Sequence, residues 1–334
     1  MAFDRIRVVA AFAIVWLHVS SGVVVHKPDA QRLEWWVGNL ADALSRWALP
    51  VFVMLSGALL LTARAHKAPG RFYRRRLARI LVPLLFWTAF YLGWTRYTNG
   101  TLDPAAATQS VLAGSPYIHL WYLYMLLGLY AVTPLLSFLV ERSPHRLLLL
   151  IVVLAFVIVV VRPNVGGVFG NTFLGLWIPF VPYFLAGRYQ IGEARFQYLR
   201  LLGVMAALVC GVGVAIEAGV AVSQARAGGI DAAYSHFNPL VIVMTLGMFA
   251  VLGPGASAVA QDDWHARVVR QLAPLTLGVY VVHPAWLEIF AKHGVHGAWV
   301  HPAVGIPAVT IVSFAISLAT TWGIRQVPLL RRVV

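Results

Sequence analysis

Phe3-Asp4-Arg5-Ile6-Arg7 opens the chain, and an apolar run from Val8 to Val25 follows at once, broken only by His18, Ser20, Ser21 and Gly22. As an α-helix this stretch sets Arg7 and His18 eleven residues apart. That is just over three turns, so both side chains share one face, about 16 Å apart along the axis. If the helix enters a membrane from the Arg7 side, His18 sits near mid-depth. Lipid offers an imidazole no hydrogen-bond partner, so a histidine there is a candidate for function. The spacing suggests an anion held at Arg7 and chemistry at His18 below it.

The rest of the chain repeats the apolar pattern. Of its 334 residues, 60% are hydrophobic and only 11% are charged, with a mean hydropathy of +0.77. Soluble domains carry about a quarter charged residues. The expected fold is all-α: a polytopic membrane protein of about ten transmembrane helices, near residues 6–25, 40–62, 78–95, 119–139, 147–161, 173–188, 200–219, 238–254, 272–291 and 303–324, each close to the ~20 residues a bilayer requires. A single transmembrane domain over 1–334 is expected. The loops are short, with no linker, low-complexity tract or internal repeat. The one cysteine, Cys210, lies in an apolar run and excludes an intrachain disulfide.

The charges agree with ten spans. The net charge of +14 would suggest nucleic acid in a soluble protein. In a membrane protein it reflects Lys and Arg kept on cytoplasmic loops, so no nucleic-acid partner is expected. With both termini in the cytoplasm, nineteen of the 26 basic residues fall on inside loops, six outside, and Arg46 within the second span. Lys27 and Arg162 are among the outside six, Arg195 among the inside set. Trp35, Trp36, Trp94, Trp286 and Trp299 fall near outer span ends, as an aromatic belt would.

Arg64, Lys67, Arg71, Arg74, Arg75, Arg76 and Arg79 form a basic loop without an acid among them. Part of this is a topology anchor on anionic lipid. Arg76 and Arg79 also share one helix face, and two guanidinium forks there suit phosphates. Asp42 and Arg46 are one turn apart near the outer start of the second span; structural pairing and substrate contact both remain open. Small residues at Ser56-Gly57 suggest close helix packing. His119 and Trp121 sit at the start of the fourth span. His283, before Pro284, is either a site residue or a partner for backbone groups the proline frees. Glu217 has no evident role. The eleven histidines show no HExxH or other metal-ligand spacing, and no P-loop or GxSxG occurs.

Taken in order, these residues resemble a known family. Asp4-Arg5-Ile6-Arg7 with His18 resembles the D-x-x-R…H opening of the acyltransferase 3 family, integral membrane enzymes that acylate bacterial surface glycans. Arg46 with Pro50-Val51-Phe52-Val53-Met54-Leu55-Ser56-Gly57 resembles its second helix. Phe72 with Arg76-x-x-Arg79-Ile80 and Pro83 resembles its third. His119-Leu120-Trp121-Tyr122-Leu123, Tyr183-Phe184 with Gly187, and Tyr280 with His283-Pro284 resemble later landmarks.

The resemblance implies a cytoplasmic acyl-CoA donor, usually acetyl-CoA, and a sugar hydroxyl on a glycan or lipid-linked acceptor. It implies an inner (cytoplasmic) membrane location. Its motif residues carry over to Arg7 and His18 at the reaction centre and to Arg76 and Arg79 at the donor. Asp4 is expected to orient Arg7 or Arg76, and Arg74 and Arg75 to assist with CoA. Arg46, Asp42, His119, Trp121 and His283 are the candidate acceptor contacts. His18 is either general base or transient acyl carrier. Many members add an extracytoplasmic hydrolase-like domain; this sequence stops at Val334 without one and is expected to resemble the stand-alone members. The alternative is a flippase or transporter for a lipid-linked glycan, which expects carboxylates at mid-membrane where this sequence has few.

Overall fold

The computed structural model describes residues 2–26, 28–161, 173–191, 200–253 and 264–334; Lys27, Arg162 and Arg195 of the charge pattern lie outside them. Every described element is helical. In chain order they are α1 (Ala2–His26), α2 (Leu33–Ala43), α3 (Ala48–Leu60), α4 (Ala63–Lys67), α5 (Pro69–Asn99), α6 (Pro104–Leu112), α7 (Trp121–Arg142) and α8 (His145–Val161). There follow α9 (Phe173–Trp177), α10 (Val181–Ile191), α11 (Arg200–Ser223), α12 (Gly229–Ala233), α13 (Pro239–Leu252), α14 (Trp264–Leu272), α15 (Thr276–Lys292) and α16 (Pro302–Gln326). The chain is an all-α polytopic membrane protein.

Seven stretches among the described residues are long and apolar enough to cross a bilayer, not ten: Ala2–Val25, Leu33–Leu60, Pro69–Asn99, Trp121–Arg142, Arg200–Ser223, Trp264–Lys292 and Pro302–Gln326. The other three expected spans differ for physical reasons. α8 and α13 have 17 and 14 residues, which at 1.5 Å per residue fall short of a ~30 Å hydrocarbon core. The segment expected at 173–188 breaks into α9, a 3-10 turn at Ile178–Phe180, and α10; Pro179 lacks the N–H that an unbroken helix needs there.

The second span is also corrected. It begins at Leu33 rather than near residue 40, so Asp42 and Arg46 lie in its middle, not at its outer start. The stretch holding Asn39, Asp42, Ser45 and Arg46 reads as interface by hydropathy, yet Asn39 and Asp42 are fully buried. The helix is interrupted between Ala43 and Ala48. Three-residue backbone bonds take over there (Ser45 N to Asp42 O, 2.9 Å; Ala48 N to Ser45 O, 3.0 Å), and the Ser45 hydroxyl donates to the Asp42 carbonyl at 2.7 Å. Pro50, with no N–H to give the Arg46 carbonyl, prevents a continuous α-helix through this point.

Contacts group the chain into two compact units, Met1–Phe52 with Gln190–Gly323 and Val53–Tyr189 with Ile324–Val334. In the first, α1 packs on α2 and α15, and α11 packs along α13. The Trp16 indole donates to the Ala41 carbonyl (3.1 Å) and the Trp35 indole to the Val24 carbonyl (3.2 Å), fastening α2 to α1. Trp35 is therefore a buried packing residue, not part of an aromatic belt. Glu217 on α11 accepts from Asn238 at 2.6 Å. Asn238 caps the start of α13 by accepting from the Leu240 N–H, so Glu217 steadies a helix end.

In the second unit α7 packs against α4, α5 and α9. α5 starts at Pro69 and stops at Gly100, whose φ of 77° lies in the left-handed region that ends helices. α3 and α10 meet backbone to backbone. A Cβ on Gly57 would overlap the Phe184 carbonyl oxygen, and one on Gly187 would overlap that of Met54. The two small residues are each other's clearance, as at tight crossings within membranes.

Candidate active site

In the first unit α1 carries three of the expected site residues. Asp4 accepts from Arg7 Nη1 at 2.8 Å, the i, i+3 pairing that fixes the arginine's direction. Its neighbour Arg5 instead donates to the Leu252 carbonyl at 2.9 Å, and Arg200 donates to Gly253 at 3.2 Å. Both cap the C-terminus of α13, where a cation is favoured.

His18 lies three turns beyond Arg7, with part of its surface uncovered. The His283 ring from α15 faces it at 5.1 Å between centroids. His283 is completely buried, and its Nδ1 lies 3.0 Å from the Val279 carbonyl. A carbonyl only accepts, so Nδ1 carries the proton and Nε2 is the acceptor. The Tyr280 carbonyl, which Pro284 leaves without its usual N–H, is also in reach of this ring. His283 thus has both a backbone to satisfy and a face toward His18.

Arg46 completes this group. Its Nε donates to Asp42 at 2.5 Å, and its guanidinium lies 3.9 Å above the Tyr234 ring centroid. The Trp16 indole, two residues before His18, donates to the Ala41 carbonyl beside Asp42 (3.1 Å), which holds this stretch against α1. The charge of Arg46 is felt at His18. The structure therefore brings together His18, His283, Asp42 and Arg46, with Asp4 and Arg7 three turns away along α1.

Three participants are not evident in the sequence: Tyr234, Asn39 and His236. Asn39 and Asp42 fall at i and i+3, one face of α2, a spacing the sequence does display, and Arg46 follows in the interruption after it. Tyr234 and His236 follow α12 and reach the group from nearly two hundred residues away, which no local pattern reveals. Burial pushes the Tyr234 hydroxyl well above the usual tyrosine range. His236 is partly covered as a residue, but its Nδ1 is shut off from solvent. That burial first, and the Arg46 charge second, hold it down at about 3.

This shift has a consequence for stability. Folded His236 stays neutral, whereas an unfolded histidine takes up a proton below about 6.5. Its contribution is intact above pH 6.5 and is lost progressively as pH falls from there toward 3. Melting of the purified protein from pH 7.5 down to 5 should show this loss, and His236→Gln should make it shallower. An equally steep acid slope in the variant would remove His236 as its source.

The second unit holds the remaining candidates. Arg74, Arg75, Arg76 and Arg79 lie in the first three turns of α5, and among the described residues none of them pairs with a carboxylate. The basic loop is not wholly unmatched, however. Glu141 from α7 reaches back to His66 (2.8 Å) and Lys67 (3.1 Å). His119 is buried in the turn before α7, edge-on to Tyr91 at 4.9 Å. Trp121 lies 5.8 Å from Phe180. Tyr91 is twelve residues along α5 from Arg79, about 18 Å, so the arginines and the His119 cluster occupy different levels of this unit. Among the described residues no three His, Cys, Asp or Glu side chains converge as a metal site would require.

The family model of the acyltransferase domain, acyltransferase 3, matches residues 2–322, nearly the whole chain. The chain belongs to the acyltransferase 3 family. It is a multi-pass membrane acyltransferase. No curated protein and no solved structure matches it significantly. Two of the landmarks that resemble the acyltransferase 3 pattern now have a structural meaning. Ser56-Gly57 and Tyr183-Phe184 with Gly187 are the two sides of the α3–α10 crossing. They are architecture, whereas the His18 and His283-Pro284 landmarks meet at the polar group.

Proposed function

We propose that this acyltransferase moves an acyl group, acetyl in the first instance, from cytoplasmic acyl-CoA to a hydroxyl of a cell-surface polysaccharide or its lipid-linked precursor in the inner membrane. The observation that carries the reading is the His18 imidazole. It sits inside a membrane-spanning helix, in its C-terminal half, partly uncovered, with the His283 ring 5.1 Å away. A bilayer does not tolerate such a ring without a polar purpose.

Neutral His18 takes the proton of the acceptor hydroxyl as its oxygen attacks the thioester carbonyl carbon. The C–S bond then breaks, and the proton held by His18 passes to the departing CoA thiolate. The products are the acylated sugar and free CoA. An imidazole nitrogen can both accept and return a proton, which suits both transfers. Arg7, held by Asp4, orients the donor about 16 Å along α1 from His18. Arg76 and Arg79, aided by Arg74 and Arg75, bind CoA phosphates through charge-assisted hydrogen bonds. His119 and Trp121 remain candidate acceptor contacts.

The direct test is free-CoA release from acetyl-CoA by the purified protein, across a panel of lipid-linked sugars. Acceptor-dependent release is expected. Absence of thioester cleavage with every acceptor would favour glycan transport instead. Within that assay Arg76→Ala should raise the apparent KM for acetyl-CoA about tenfold or more, since a hydrogen bond to a charged group contributes ~1.5–3 kcal/mol. The same KM as wild type would remove its phosphate role.

A further inference from the structure

The Arg46 guanidinium is clamped on several sides. Nε donates to Asp42, the plane rests on the Tyr234 ring, and Nη1 lies 3.5 Å from the Tyr234 carbonyl. Tyr234 is itself tethered. Its hydroxyl donates to Asn39 Oδ1 at 2.6 Å, and Asn39 Nδ2 donates to the Ala215 carbonyl at 2.8 Å. Nη2 takes part in none of these contacts, and 13% of the arginine side chain stays uncovered. A long side chain is thus locked in one rotamer by a buried carboxylate, an aromatic face and a second layer of hydrogen bonds.

Stability alone does not explain this arrangement. Burying an ion pair is often no better than packing apolar groups of the same volume. Nor does Arg46 offer a free fork for a phosphate or carboxylate, because Nε is given to Asp42 and Nη1 faces the Tyr234 carbonyl. What remains is a rigid N–H edge, fixed before any ligand arrives. That is the device which stabilises charge appearing only in a transition state. The Trp16 indole, two residues before His18 on α1, donates to the Ala41 carbonyl next to Asp42 at 3.1 Å, which ties this stretch to the His18 helix.

We propose that Arg46 donates to the oxyanion formed on the thioester carbonyl, and that Tyr234 and Asn39 are positioning residues for its guanidinium. The proposal rests on the acyl-transfer reading above. As the acceptor oxygen bonds to the carbonyl carbon and His18 takes its proton, the carbonyl π pair moves onto oxygen, where the Nη2 edge meets it. The pair returns as the C–S bond breaks and CoA leaves as thiol with the proton from His18. Arg46 gains and loses no proton in the cycle.

The test uses purified full-length protein with acetyl-CoA and polyprenyl-diphosphate-linked sugars as acceptor probes. Arg46→Lys keeps the charge but loses the stacked fork. Its kcat should fall about 10²–10³-fold, as for loss of one oxyanion donor, with KM for acetyl-CoA unchanged. Tyr234→Phe keeps the ring under the guanidinium but cuts its tether to Asn39, and should lower kcat about tenfold, again without a change in KM. A purely structural role would lower the folded fraction and leave the kcat of the folded fraction alone. Wild-type kcat in Arg46→Lys, with His18→Gln inactive, overturns the oxyanion role and leaves the general base standing. Wild-type CoA release by His18→Gln overturns both. A raised KM for the sugar with kcat preserved would make Arg46 an acceptor contact and also end the proposal. Should Arg46→Lys not fold, Tyr234→Phe decides, and an unchanged kcat there overturns the clamp.

Discussion

Replacing His18 by alanine should reduce acyl transfer by ~10²–10⁴-fold, the usual worth of a positioned general base. His18→Gln should fall equally far. Glutamine keeps a hydrogen-bonding side chain of similar length facing His283, so packing and polarity are nearly preserved while basicity is lost. Both variants should remain folded, because His18 is only partly covered and its neighbours are held by other bonds: His283 by the Val279 carbonyl and Arg46 by Asp42 and Tyr234. CoA release by the purified variants, alongside their melting curves, separates loss of chemistry from loss of fold. Wild-type turnover in folded His18→Gln would end the general-base assignment.

Gly57→Val and Gly187→Val should have the largest effect on the fold. Each side chain would begin inside a backbone carbonyl of the facing helix, and a backbone has no alternative rotamer. Overpacking normally costs ~1–3 kcal/mol, but here two helices must part along their whole crossing. Against a total stability of ~5–15 kcal/mol, either substitution is expected to abolish the monodisperse, folded protein in detergent. The alanine variants should fold with markedly lowered melting temperatures. Melting of Gly57→Ala at the wild-type temperature would mean that the α3–α10 contact is looser than described.

Long apolar runs made the fold class legible. Bilayer thickness imposes a length on any spanning helix, and composition records that length directly. The number of crossings was less legible. α8 and α13 are apolar throughout but short, and Pro179 splits the segment between α9 and α10. Hydropathy averages over a window and does not register where a backbone bond is missing. The second span was read too short for the opposite reason. Asn39, Asp42 and Arg46 look like an interface until their burial against neighbouring helices is seen.

At the site, His18 stood out because an intramembrane histidine has no bland environment. Arg46 and Asp42 stood out as a spaced ion pair. Tyr234 and His236 did not. They come from the connection between α12 and α13, and only the tertiary fold carries them to Arg46. Glu141 escaped notice likewise. Its reach to His66 and Lys67 spans about seventy residues, so the seven cations of the loop looked unopposed.

The interruption at Leu44–Trp47 has a mechanical side as well. A straight transmembrane rod answers a thicker or thinner bilayer by leaning as a whole, and every group along it swings through the same angle. α2 and α3 are jointed instead. A rod with such a joint need not swing as one piece, and groups at the joint, where Ser45 grips the Asp42 backbone, travel least. An arginine placed at such a pivot is insulated from the elasticity of the surrounding lipid.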